Sequence, residues 1–137
     1  MVQRTVNLVE SYLNIRPHGA AEVMPKGGVG ATSERDDTVV WDPEADGLLV
    51  SEALVTTSSR HQGERHLDGD EVLYLISGSA RLALERDDGS PEVIELPPAR
   101  AFVVPQRVWH RLLVDEPSRL LFLTTGRTEV RPPTPAS

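Results

Sequence analysis

The 137-residue chain contains no cysteine. Disulfides, thiolate-held zinc and a cysteine nucleophile are therefore excluded, and any metal must be held by nitrogen and oxygen. Aromatic residues make up 4% of the chain, too few for base-stacking platforms or aromatic cages. Basic residues are outnumbered, 14 against 21 acidic ones, and the arginines are dispersed. The resulting formal charge of −7 argues against a phosphate-backbone binder, so no nucleic-acid partner is expected. Long apolar runs are also missing: VLYLI and LLFL are strand-sized, far below the roughly 20 residues that span a bilayer. The opening MVQRTVNLVESYLNI has scattered charges and lacks the apolar core of a secretory signal. The expectation is a soluble, cytoplasmic protein with no membrane partner.

What the chain does have is a succession of short strand-like runs separated by turn signals. Residues Thr5 to Ile15 alternate weakly up to the turn Pro17-His18-Gly19 and read as an arm or edge strand. Met24 to Asp37 is glycine-rich and polar, which predicts a mobile loop; its GGVG lacks the Lys-Ser/Thr pair and following helix of a phosphate loop. Strands are expected at Thr38 to Trp41, pairing with Leu48 to Thr57, and at Val72 to Ile76. Ala80 to Glu85 alternates and turns at Asp87 to Ser90 into a partner at Val93 to Leu96. Phe102 to Val104, Val108 to Val114 and Leu120 to Thr125 follow, with prolines as breaks, and RPPTPAS reads as a disordered tail. No helical stripe with caps persists over ten residues. The fold class is all-β, a sandwich or barrel, divided into an arm and loop at 1–37, a β-barrel at 38–130 and a tail at 131–137.

Chemistry gathers in GERHLDGDEVLYLISG, Gly63 to Gly78, and in PQRVWH, ending at His110. On a strand Glu64 and His66 leave the same face, and a reversal at Leu67 to Asp70 brings Glu71 beside His66. Strand parity tests the idea. If Glu71 points inward, so do Leu73 and Leu75; if His110 does, so do Val108, Leu112 and Val114, leaving Trp109, Arg111 and Leu113 outside. Both strands pass. Two imidazoles and one carboxylate then converge in an apolar chamber, a set that covers one face of an octahedral metal and leaves positions for substrate, water or dioxygen. Glu64 reads either as a fourth ligand, the preferred role, or as a base toward bound substrate.

These phrases resemble the two motifs of a small single-domain cupin. The first motif is G, five residues, H-x-H, three or four residues, E, six residues, G; Ser58, Glu64, His66, Glu71 and Gly78 stand at its positions. The second is G, five residues, P-x-G, two residues, H, three residues, N; Pro105 and His110 match, with Ala99, Arg107 and Val114 where G, G and N are usual. Glu64 replaces the first histidine, as in a subgroup of small cupins carrying E-x-H-P-x-G-D-E. The resemblance covers roughly Thr38 to Thr125. It implies a double-stranded β-helix or jelly-roll barrel, with His66, Glu71 and His110 falling on metal-ligand positions.

The expectation that follows is a metal-dependent enzyme for a small oxygen-rich or carboxylate-bearing substrate, most readily a dioxygenase. Fe(II) is favoured, with Zn, Mn or Ni as other divalent candidates. A non-redox lyase, isomerase or cyclase and a non-catalytic small-molecule-binding barrel are the alternatives. His61 reads as a surface residue and, less readily, as a substitute for Glu64; His18 belongs to a turn. Tyr74 and Trp109 read as packing residues on outer faces, while Arg100, Arg107 and Arg111 read as solvated or, less readily, as attracting an anion near the barrel mouth. The arm and exposed strand edges suit pairing with a second copy, so a homodimer is expected.

Overall fold

The structure, a computed structural model, describes residues 5–26 and 47–133. The expected strand at Thr38 to Trp41, its pairing with the next strand and most of the expected loop before it lie outside the described residues, as does the end of the tail. Eleven strands are seen: β1 (Ser11–Ile15), β2 (Ala21–Pro25), β3 (Leu48–Val55), β4 (Gly63–His66), β5 (Glu71–Ser77), β6 (Ala80–Glu85), β7 (Pro91–Leu96), β8 (Ala101–Val104), β9 (His110–Val114), β10 (Ser118–Thr125) and β11 (Thr128–Arg131). They form two antiparallel sheets, ordered β2-β1-β3-β10-β5-β8 and β11-β4-β9-β6-β7. The chain is all-β, as expected. One feature differs: no ladder among the described residues joins the two sheets, so they face each other without closing into a hydrogen-bonded barrel.

The core lies between the sheets and follows from alternation. Leu73 and Leu75 of β5, Val104 of β8 and Leu120 of β10 meet Ala80, Leu82 and Leu84 of β6 and Leu96 of β7. Val108, Leu112 and Val114, the residues that parity assigned to the side of His110, pack against this cluster. Each such leucine gains about 1.5–3 kcal/mol from burial, so the inward period fixes the register: a slip by one residue would send every one of them to solvent.

Three expectations at the ends need correction. β1 is no arm or edge, because Pro17-His18-Gly19 turns the chain into β2 and leaves β1 paired on both sides. Gly19 makes that turn with φ of +98°. β2 was hidden because its last two residues, Met24 and Pro25, were read together with the glycine-rich stretch that follows them. At the other end Arg131, read as the start of a tail, closes β11, a four-residue strand paired with β4.

The turns keep the backbone of the resembled motifs even where the residues differ. Gly78 has φ of +102°, and a Cβ there would clash with the Ser118 Oγ and meet the Ser118 Cα at 2.6 Å. Ala99 and Arg107 replace the glycines of the second motif, yet they hold φ of 63° and 66°, the described non-glycine residues found in the left-handed region.

Candidate metal centre

β4 and β9 are neighbours through one opposed pair, Glu64 and His110. Both side chains thus leave the same face of the same sheet, and His66 follows two residues along β4. Glu71 comes from the opposite sheet, at the start of β5. The loop between His66 and Glu71 is held on several sides. Asp68 accepts hydrogen bonds from Arg127 N, Nε and Nη2 at 2.7, 3.0 and 2.8 Å. Asp70 accepts one from Gln106 N at 2.8 Å, and the His66 carbonyl accepts one from Arg107 N at 2.8 Å. These bonds with Arg127 hold the Asp68 carboxyl at about 2, well below the usual range. Asp68 and Asp70 therefore do more than solvate a turn; they fix where Glu71 begins.

Glu64, His66, Glu71 and His110 each offer one donor atom, and these atoms all lie within 4.8 Å of one another. His66 Nε2 is 3.0 Å from Glu71 Oε2. His110 Nε2 is 3.4 Å from Glu64 Oε1 and 3.3 Å from Glu71 Oε1. Side-chain exposure is 4% for His66 and Glu71 and 2% for His110, but 29% for Glu64, so the cluster opens to solvent beside Glu64.

Partners behind the ligands orient them. His110 Nδ1 is 2.9 Å from the Val108 carbonyl, which can only accept, so Nδ1 carries a proton and the Nε2 lone pair of a neutral ring faces the cluster. His66 Nδ1 lies 2.9 Å from the Thr128 hydroxyl; with Nδ1–H donating, its Nε2 is presented in the same way. The Thr124 hydroxyl donates to Glu71 Oε2 at 2.7 Å. With neutral rings both buried Nε2 atoms turn a lone pair toward carboxylate oxygens, an arrangement that is costly unless a proton or a cation lies between them. Two imidazoles and two carboxylates at these separations fit a divalent cation.

Electrostatics agree with that donor set. Burial opposes ionisation of Glu71, but the His110 and His66 rings override it and bring its pKa down to about 2. Burial likewise opposes a charged His110, yet Glu64 and Glu71 raise its pKa to about 10. Without a cation, the centre keeps a proton on His110 to offset its carboxylates.

All four expected residues are thus brought together. His61, expected at the surface, is half-buried instead: its Nδ1 accepts the Gly63 N–H at 3.1 Å, and its Nε2 lies 3.8 Å from Glu64 Oε2. Burial lowers its pKa, with Arg111 and His110 adding to the effect and Glu64 opposing it. His18 is exposed in its turn. Trp109 is on the outer face, its ring 4.7 Å from the Arg65 and 3.9 Å from the Arg131 guanidinium. Arg111 donates to the Ser59 carbonyl at 2.9 Å, and Arg100 and Arg107 are exposed. Thr124 and Thr128 were not expected. Parity could have found Thr124, two residues from inward Phe122, whereas Thr128 lies on the unrecognised β11.

No family model matches the chain, and no curated protein matches it. Solved structures do. Oxalate decarboxylase from Bacillus subtilis aligns over 61% of this chain with 22% identity and a TM-score of 0.51. A cupin-2 domain protein from Shewanella frigidimarina aligns over 69% of this chain and 83% of its own, with 20% identity and a TM-score of 0.49. Hydroxypropylphosphonic acid epoxidase from S. wedmorenis aligns over 57% of this chain and 42% of its own, with 17% identity and a TM-score of 0.45. The matched region spans 22% of the oxalate decarboxylase chain. At this identity the likeness is one of architecture, and the architecture of this chain is the cupin fold.

Proposed function

We propose that the protein is a metal-dependent enzyme acting on a small oxygen-rich or carboxylate-bearing molecule, with a dioxygenase reaction as the leading class. The observation that carries this reading is the pair of buried imidazole Nε2 atoms converging with two carboxylates on one point. His66, Glu71 and His110 would hold a divalent ion, Fe(II) in the first instance and Zn, Mn or Ni otherwise, with Glu64 as fourth ligand. Such an ion supplies Lewis-acid polarisation and, if it is iron, access to dioxygen chemistry. The chain's own part is to orient. Thr124, Thr128 and the Val108 carbonyl fix the donors, and the apolar core behind them keeps water away from all but the Glu64 side. The shared fold with oxalate decarboxylase, named for the decarboxylation of a small dicarboxylate, supports a carboxylate-bearing substrate.

A second reading, a non-redox lyase, isomerase or cyclase, is favoured by one observation. Glu64 is the exposed member of the cluster, with His61 beside its outer oxygen, which places a carboxylate where it can take a proton from a substrate at the opening. Elemental analysis of protein purified without chelators or a histidine tag, beside His66→Ala and His110→Ala, tests the centre. Near-stoichiometric metal lost in both variants is expected; metal content equal in all three would refute the site. Oxygen consumption during turnover then separates the two reaction classes. Ligand binding without turnover by the metal-saturated protein would leave a binding module.

A further inference from the structure

The chain passes from one sheet to the other by several short connections, and two of them lie against each other beside the metal centre. One joins β4 to β5 and has a candidate ligand at each end, His66 and Glu71. The other joins β10 to β11 and has at its ends the two hydroxyls behind those same ligands: Thr124 holds Glu71, and Thr128 holds His66. Ligands and their supports therefore belong to separate segments, distant in sequence. The two turns are fitted to each other. A Cβ on Gly126 would clash with the Asp68 side chain, and one on Gly69 would meet the Thr125 Cβ and Cγ2 at 3.0 Å, so each glycine stands where the other turn comes closest. Leu67 N donates to the Arg127 carbonyl at 2.8 Å. At the middle the Asp68 carboxylate accepts from both the amide and the guanidinium of Arg127.

We propose that Arg127 is a positioning residue for the metal centre, acting through Asp68 to fix Thr124 and Thr128 against Glu71 and His66. This rests on the reading of His66, Glu71 and His110 as ligands. Arg127 and Asp68 are open to solvent, at 55% and 35% side-chain exposure, and an ion pair so placed adds little to stability by itself. Its effect is on alignment. If the two turns shift past one another, Glu71 and His66 move away from the hydroxyls that orient them, and outer partners of this kind change metal affinity by about 10–100-fold. Charge and position also act in opposite directions here. By charge alone, loss of the Arg127 cation would tighten the binding of another cation; by position, its loss weakens it.

Titration of the full chain with Co(II), read by the absorption of the bound ion and by competition with a chelator, tests this. Arg127→Gln should raise the dissociation constant by about tenfold and alter the Co(II) spectrum, while the melting temperature of the metal-free protein stays near the wild-type value. Asp68→Ala also loses the bond to the Arg127 amide and should raise the constant further. The double variant should bind no more weakly than Asp68→Ala alone, because Arg127 acts through Asp68. Arg127→Lys, which keeps the charge and a donor, should recover part of the loss. Arg81→Gln, in an exposed pair with Asp115 outside the centre, should bind as the wild type does. Wild-type affinity and spectrum in Arg127→Gln, tighter binding in that variant, or additive losses in the double variant would each overturn the inference and leave the ligand assignment standing. Equal Co(II) binding by the wild type and His66→Ala would overturn the assignment and the inference with it.

Discussion

Metal and proton compete for the same nitrogen of His110, and that competition sets how stability depends on pH. In the metal-free protein His110 has its pKa raised to about 10 and Glu71 has its lowered to about 2. A raised histidine contributes stability that is complete below its unfolded value, about 6.5, and is lost as pH rises toward 10. A lowered carboxylate contributes stability that is complete above its unfolded value, about 4.5, and is lost as pH falls toward 2. The metal-free protein should therefore be most stable between about pH 4.5 and 6.5 and lose at most about 1.4 kcal/mol per unit above that range. A divalent ion must displace one proton, so its apparent affinity rises tenfold per pH unit up to about 10. With the ion present the two trends cancel above pH 6.5, and stability is level there. The gain from metal should consequently widen by about 2.7 kcal/mol between pH 6 and pH 8, which for a domain of this size is a melting-temperature difference growing by about 4 °C per pH unit. Thermal melts with and without Zn(II) at fixed free concentration measure it. A metal-induced shift of equal size at pH 6 and pH 8 would show that no proton is displaced and would refute the assignment of His110.

Thr124→Val removes the hydroxyl that holds Glu71, and Thr128→Val the one behind His66; each should weaken metal binding about 10–100-fold in a chelator competition while the fold is retained. Glu64→Gln separates two roles, since a ligand change weakens metal retention whereas loss of a base spares it and lowers turnover; unchanged binding and turnover would dismiss both. Ala99→Gly and Arg107→Gly should each stabilise by about 1 kcal/mol in urea unfolding, because both positions hold positive φ. Gly78→Ala should destabilise, by more than either gain, because its Cβ meets the Ser118 backbone.

The alternation of β5, β6 and β9 was legible because each strand has one apolar face, and the same parity put Glu71 and His110 inside. Glu64 and His66 were legible from their spacing of two. Elements held by long-range pairing were not. β2 is five residues long and forms because a glycine turn returns it to β1, and β11 is four residues long and forms by pairing with β4. Thr128 was lost with that strand. His61 was misjudged because polar flanks say nothing about a ring folded back on the Gly63 amide. The strained conformations of Ala99 and Arg107 were also unreadable from residue type, although their places in the resembled motif marked where glycine would be at ease.

Glu64, His66 and His110 belong to one sheet and Glu71 to the other, and no ladder ties the two sheets together. Any ion held by all four is then a bolt through both layers, and its radius sets their separation at this end of the molecule. Ion exchange would then be a mechanical event: a larger cation would spread the layers, a smaller one would draw them in, and removal would leave the leucine core and the contacts of Glu71 with His66 and His110 to hold them. Amide protons of β4, whose contact with β9 is one residue pair, would be the natural gauge of that spacing.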